Sequence, residues 1–172
     1  NALHFVFSSD GSVNEFGWVA TISAPVPKNT LGYSFENTLD GWTNASGDDF
    51  DWLNDSSGTP SGGTGPSSAS EGTYYMYTEA SSPRTQGEKA YLEKEFDFSS
   101  EINAEIDFDY HMYSSSGGST MGTLNLLVST DGGSNFTNLH SISGNQGNSW
   151  FSQNIDLSAY DGQVIIIRFE AI

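Results

Sequence analysis

An all-β sandwich is the fold class this sequence predicts, on three observations. Apolar and polar residues alternate with a period of two in several short runs. Nowhere does a 3.6-residue period last long enough for a substantial helix. Glycine, serine and aspartate recur between the runs as turn signals, the spacing expected of many short antiparallel strands.

Residues 3–7 read as a strand, Asp10-Gly11 as a turn, and residues 17–22 as a second strand with Trp18, Ala20 and Ile22 on one side. A hairpin alone is marginal in water, so this pair is expected to dock or to belong to a larger sheet. Residues 25–30, stiffened by Pro25 and Pro27, read as a linker, and the main domain runs over 31–172. Gly32 to Glu36 predicts a short strand, followed by Gly41-Trp42 and the acidic segment Gly47-Asp48-Asp49-Phe50-Asp51-Trp52. From Asn54 to Ser70 the chain is polar, with Thr59-Pro60, Gly62-Gly63 and Gly65-Pro66 as turn signals. A loop of that length inside a domain is expected to be functional or mobile. Further strands are predicted at 74–78, 89–98, 102–112, 122–129, 135–139, 150–157 and 164–170. In the third of these, Ile106, Phe108 and Tyr110 face one way and Glu105, Asp107, Asp109 and His111 the other, the pattern of a strand with one wet face.

The charge narrows the function. Against 22 Asp and Glu stand five Lys and Arg, a net charge of −17. Such a surface repels phosphate backbones and anionic lipid, which speaks against nucleic-acid binding and electrostatic membrane docking and makes cations the natural partners. With zero cysteines there is no disulfide scaffold, thiolate metal site or thiol nucleophile. No apolar run reaches the roughly 18 residues of a membrane span, and any export signal is expected upstream of Asn1.

The densest chemical constellation is Asp48, Asp49 and Asp51, with Glu36 upstream and Glu79 downstream. Calcium takes six to eight oxygen ligands in irregular geometry, so carboxylates gathered from loops suit it. Alternation through the segment sends Asp49 and Asp51 to one side and anchors Phe50 and Trp52 in the core, making a clamp; the competing reading is plain surface acidity. As a glycosidase acid and base, the same carboxylates lack any mark of a substrate cleft. His4, His111 and His140 share no ligand spacing, H-E-x-x-H is absent, and His111 reads as a surface residue. Ser129 to Phe136 has the form S-x-D-x-G-x-T-W with Asn135 and Phe136 at the last two places; in it Asp131 accepts backbone N–H groups, Gly133 takes positive φ and Phe136 covers the hairpin. Trp42, Tyr74 and Tyr75 are candidate ligand contacts if exposed, although such aromatics are more often core. Asn44-Ala45-Ser46 and Asn54-Asp55-Ser56 match the glycosylation sequon.

From Gly32 onward the chain resembles the MAM domain, named for meprins, the A5 antigen and receptor phosphatases of the mu class. The resemblance runs through Phe35-Glu36, Gly41-Trp42, Asp48-Asp49-Phe50-Asp51-Trp52, Thr59-Pro60, Thr64-Gly65-Pro66, residues 75–81, residues 87–92 and Arg168-Phe169-Glu170-Ala171. It implies a jelly-roll of two antiparallel sheets and a calcium ion near Phe35-Glu36 and the 49–51 segment. The implied ligands are Glu36, Asp49 and Asp51, with Asp48 and Glu79 as further ones. Animal members carry disulfides that this chain lacks, so metal and aromatic packing are expected to take over their role. The family also ends in a strand bearing an Asp-Asp pair, which does not appear before Ile172, so the domain is expected to lack its last strand.

Residues 1–24 resemble the last strands of a CUB domain, through Phe7-Ser8-Ser9-Asp10-Gly11-Ser12 and Gly17-Trp18-Val19-Ala20, with Asp10 matching a CUB calcium ligand. Cysteine-free pairings of this kind are similar to the C-terminal regions of secreted bacterial metallopeptidases, which implies that the chain is a slice of such a protein with catalysis elsewhere. The expected function is a non-catalytic, calcium-binding module, secreted or at the cell surface, for adhesion, protein binding or positioning of a linked enzyme. The alternative is a carbohydrate-binding accessory module. Expected partners are a protein, an extracellular glycan or neighbouring domains of the same polypeptide, without nucleic acid or membrane insertion.

Overall fold

A computed structural model describes residues 30–116 and 121–172. The chain divides between Leu31 and Gly32. The strands expected at 3–7 and 17–22, nearly all of the linker, the CUB-like stretch and Asp10 lie outside the described residues.

Nine strands and one short 3₁₀ turn, Ser158–Tyr160, make up the regular structure of the described residues. They are β1 (Thr43–Asn44), β2 (Leu53–Ser56), β3 (Tyr74–Tyr77), β4 (Ala90–Asp97), β5 (Glu105–Tyr110), β6 (Thr123–Ser129), β7 (Thr137–Ser143), β8 (Phe151–Asp156) and β9 (Val164–Ala171). Three antiparallel sheets result: a five-stranded one in the order β1-β4-β9-β6-β7, and the pairs β2-β3 and β5-β8. The domain is thus all-β, as the period-two runs require.

The run of three isoleucines in β9 shows how alternation works here. Ile165 and Ile167 are 1 % and 0 % exposed, while Ile166 between them turns to the opposite face. Register carries the pattern across the sheet: Leu92 faces Phe169, Phe96 faces Ile165, and Leu126 faces Phe169 from the other side. These inward residues pack with Trp42, Val128 and Leu157 into the main core. Around Trp42 stand Tyr33, Phe96 and Phe169 at centroid distances of 6.0, 5.8 and 5.6 Å, within the range where edge-to-face and tilted rings attract. Burying side chains of this size contributes roughly 1.5–3 kcal/mol each, which explains why a chain without cysteine holds its shape.

The sequence expectation fails at two separate places in the main domain. Gly32 to Glu36 forms no strand, because Phe35, Asn37 and Asp40 adopt φ of 55°, 57° and 53°, a left-handed backbone incompatible with a pleat. The turn is closed by the Ser34 N–H donating to Asp40 Oδ2 at 2.8 Å. The strand expected to end at Leu139 runs on to Ser143, and its pairing with β6 shifts between Leu126 and Leu127. That bulge breaks the alternation on which the sequence reading relied.

Candidate functional site

Phe50 is not held in a strand. The N–H groups of Asp49 and Phe50 both donate to the carbonyl of Lys89, at 2.9 and 3.3 Å, which curls the acidic segment against the start of β4. Asp49 Oδ2 accepts the Lys89 N–H at 2.8 Å and Asp48 Oδ2 accepts the Tyr91 N–H at 2.7 Å. Neighbouring aspartates therefore fasten the segment to the start of β4. Burial alternates as expected, with Asp49 and Asp51 exposed and Phe50 and Trp52 half-buried, but Phe50 lines the same concavity as the aspartates instead of anchoring in the core. Trp52 does reach the core, with its Nε1–H on the Ala90 carbonyl at 3.2 Å. Its own peptide is gripped from both sides by the Asn44 side chain at 2.9 and 3.0 Å.

Asp48, Asp49, Asp51 and Glu79 line one open concavity of about 560 Å³ together with Phe50 and Arg84. The sequence reading missed Arg84. It is one of only five basic residues, which is the signal that could have marked it. Its guanidinium lies 4.6 Å from the centre of the Phe50 ring and donates to the Asp49 carbonyl at 3.4 Å, so a cation already sits among these carboxylates. Glu79 accepts from the Ser81 side of the same rim, and those bonds hold its carboxyl below the ordinary carboxylate value.

Glu36 is elsewhere. Its Oε1 accepts the N–H groups of Thr73 and Tyr74 at 2.8 and 3.2 Å, at the start of β3, whereas Glu79 lies beyond the other end of that four-residue strand. At about 3.3 Å per residue the two ends are roughly 10 Å apart, too far for one ion to join Glu36 and Glu79. Oxygen-only donors of this kind suit a hard cation. Among the described residues, however, no group of three or more His, Cys, Asp or Glu is close enough to hold a metal.

The polar loop after β2 is fastened at several points. Thr64 bridges to Ser114, the Ser115 N–H donates to Gly63 at 2.8 Å, Trp150 Nε1–H donates to the Ser68 carbonyl at 2.9 Å, and Ser70 bonds Asp109. The contact candidates Trp42 and Tyr75 are interior residues, 4 % and 6 % exposed, and Tyr74 is half-buried. His111, read as a surface residue, is half-buried against Trp150 at a centroid distance of 5.6 Å. Burial pushes its pKa down, against a smaller upward pull from the Asn148 contact.

On the outward face of the five-stranded sheet lies a polar network the sequence reading did not contain. Lys89 Nζ meets Glu170 Oε2 at 2.9 Å, Asn125 Nδ2 donates to Glu170 Oε1 at 2.9 Å, and Ser141 donates to Asn125 at 2.7 Å. Burial pushes the Glu170 carboxyl up, and the bonds from Lys89 and Asn125 outweigh it, leaving it below its ordinary value. Beside it Arg168 pairs with Glu93 and is stacked 4.1 Å from the Tyr91 ring and 3.7 Å from the Phe136 ring. Phe136 is delivered there by the turn at Asp131. Asp131 Oδ1 accepts the Asn135 N–H at 2.9 Å, Oδ2 accepts Asn135 Nδ2 at 2.7 Å, and Gly133 takes φ 88° as the motif requires. These bonds lower the Asp131 pKa to about 2. The motif is a structural turn.

With this geometry in view, the relatives can be placed. The chain matches the family model of the MAM domain, meprin/A5/mu, over residues 34–172. It is 34 % identical over 145 residues to the human MAM domain-containing glycosylphosphatidylinositol anchor protein 1, covering 80 % of this chain and 15 % of that protein. The chicken protein of that name is 31 % identical over 152 residues, covering 82 % and 15 %. The mouse MAM domain-containing glycosylphosphatidylinositol anchor protein 2 is 33 % identical over 126 residues, covering 64 % and 13 %. The chain thus spans about 15 % of the length of the first of these relatives. These findings correct the expectation of a cysteine-free bacterial type with a CUB tail, cut from a secreted metallopeptidase: the relatives are vertebrate glycosylphosphatidylinositol-anchor proteins, and the matched family is MAM. MAM domains are non-catalytic, and so is this chain. Among the described residues no helix is long and apolar enough to cross a membrane. From residue 34 to residue 172, the chain belongs to the MAM domain family.

Proposed function

We propose that this domain is an extracellular adhesion or protein-binding module whose fold is tightened by calcium. The observation that carries the reading is the family match over 34–172, from a group whose vertebrate relatives are named as glycosylphosphatidylinositol-anchor proteins. That relationship supports secretion or display at the cell surface, and a jelly-roll of two antiparallel sheets goes with it as part of the proposal.

The calcium part of the reading is supported by the concavity. Four carboxylates, Asp48, Asp49, Asp51 and Glu79, line it without yet converging on one point, and among the described residues no hydrogen bond is seen for Asp51, leaving its oxygens available to a hard cation. Glu36 belongs to a separate role in this reading, since it is spent on the start of β3. Calorimetric titration with calcium and thermal melting with and without chelator test it. Free calcium a hundredfold above its dissociation constant is expected to add about 2.7 kcal/mol of stability, and Asp51→Asn is expected to weaken binding. Equal melting temperatures with calcium and with chelator would remove calcium from the proposal and leave the adhesion reading standing.

A further inference from the structure

A third glycosylation sequon stands beside the two named from the sequence, hidden there inside the stretch read as a turn: Asn135-Phe136-Thr137. The three differ in what the fold does with the side-chain amide. Asn44 is half-buried, its Nδ2 donating to the Trp52 carbonyl and its Oδ1 accepting the Trp52 N–H, so the amide is pressed against that peptide. Asn54 is also half-buried. Its Nδ2 faces the Phe35 carbonyl at 2.7 Å, the Tyr75 carbonyl at 3.5 Å and the Met76 sulfur at 3.7 Å, which leaves no outward hydrogen. Asn135 is exposed at the tip of the β6-β7 hairpin, and Thr137 is exposed two residues on.

We propose that Asn135 is an N-glycosylation site of the folded domain and that Asn44 and Asn54 are not. In the transfer, Asn135 Nδ2 loses one hydrogen and bonds the anomeric carbon of a lipid-pyrophosphate-linked oligosaccharide. The bond from that carbon to the pyrophosphate breaks, and the lipid pyrophosphate leaves, the amide proton going to solvent. One N–H remains on Nδ2, enough to keep the bond now made to Asp131 Oδ2, so the turn and the glycan are compatible. The sugar would project from the start of β7, which among the described residues is one of the two outer strands of the five-stranded sheet. A bulky hydrophilic group there shields an edge otherwise open to pairing with other chains.

The test is to express the full chain behind a secretion leader in mammalian cells and map the purified protein by mass spectrometry after peptide-N-glycosidase treatment. The expected result is conversion of Asn135 to aspartate, with Asn44 and Asn54 unchanged. The glycosidase-sensitive gel shift is expected to vanish in both Asn135→Gln and Thr137→Ala and to persist in Asn44→Gln and Asn54→Gln. Thr137→Ala removes the sequon while keeping the bonds between Asn135 and Asp131, so loss of the shift there does not depend on how well Asn135→Gln folds. Secreted, folded protein bearing no glycan at Asn135, or bearing one at Asn44 or Asn54, would overturn the proposal.

Discussion

On the inward face of β9, Ile165 and Ile167 are 1 % and 0 % exposed among Leu92, Leu126 and Val128. On the outward face of the same strand, Glu170 is nearly as shielded at 6 % exposure, but among Lys89 and Asn125. The inward face is held by dispersion and by apolar surface removed from water, so it depends on volume and shape. The outward face is held by donors meeting acceptors, so it depends on completeness: one missing partner strands the others. A single strand thereby presents two kinds of fragility, which substitutions can separate.

The largest effect is expected inside. Ile167→Ala should lower stability by about 2–5 kcal/mol, read from the denaturant midpoint, whereas Ile167→Val should cost only about 0.5–1.5 kcal/mol. Glu170→Ala comes next, at about 1–3 kcal/mol, because it leaves the Lys89 ammonium and the Asn125 amide without their acceptor. A double-mutant cycle with Lys89→Met should show coupling between the two sites. If Glu170→Ala proves neutral and uncoupled, the outward face is held by packing alone and the contrast dissolves.

The smallest effect concerns the turn that brings Phe136 onto Arg168. Asp131 has a folded pKa of about 2 against an ordinary value of 3.8. Its contribution is therefore complete above the ordinary value and is lost as pH falls through about 2. The Asn135 amide resonance should move over that window, and Asp131→Ala should flatten its titration. A resonance that titrates near 3.8 would mean that the Asp131 bonds are not populated in solution.

Much of this was legible in the sequence, for a local reason. β4, β5 and β6 follow from alternation, β9 from its apolar run, and β3 and β8 from short strand-like stretches between turn signals, while the Ser129–Phe136 turn follows from its residue order. Residues 32–36 misled because Gly-Tyr-Ser-Phe-Glu has strand composition, while Phe35 takes a left-handed backbone and gives its carbonyl to Asn54. β1, two residues long, carries too little pattern to be read. At the acidic segment the alternation of exposed Asp49 and Asp51 with half-buried Phe50 and Trp52 was legible, and the hydrogen-bond partners were not. The roles of Asp48 and Asp49 are set by backbone groups at Lys89 and Tyr91, roughly 40 positions away, and no spacing rule reaches that far. The family was legible through its ordered motifs, but the absence of cysteine suggested a bacterial metallopeptidase setting that the vertebrate relatives correct.

Gly72 sits immediately before the two amides that Glu36 caps, with φ 66°, and a Cβ built on it would fall 2.2 Å from Glu36 Oε1. Any larger residue would have to displace the carboxylate that ties a remote upstream turn to the first residue of β3. The seventeen-residue span from Ser57 to Thr73, already tied down at Gly63, Thr64, Ser68 and Ser70, therefore also needs its last glycine bare to deliver the chain to β3.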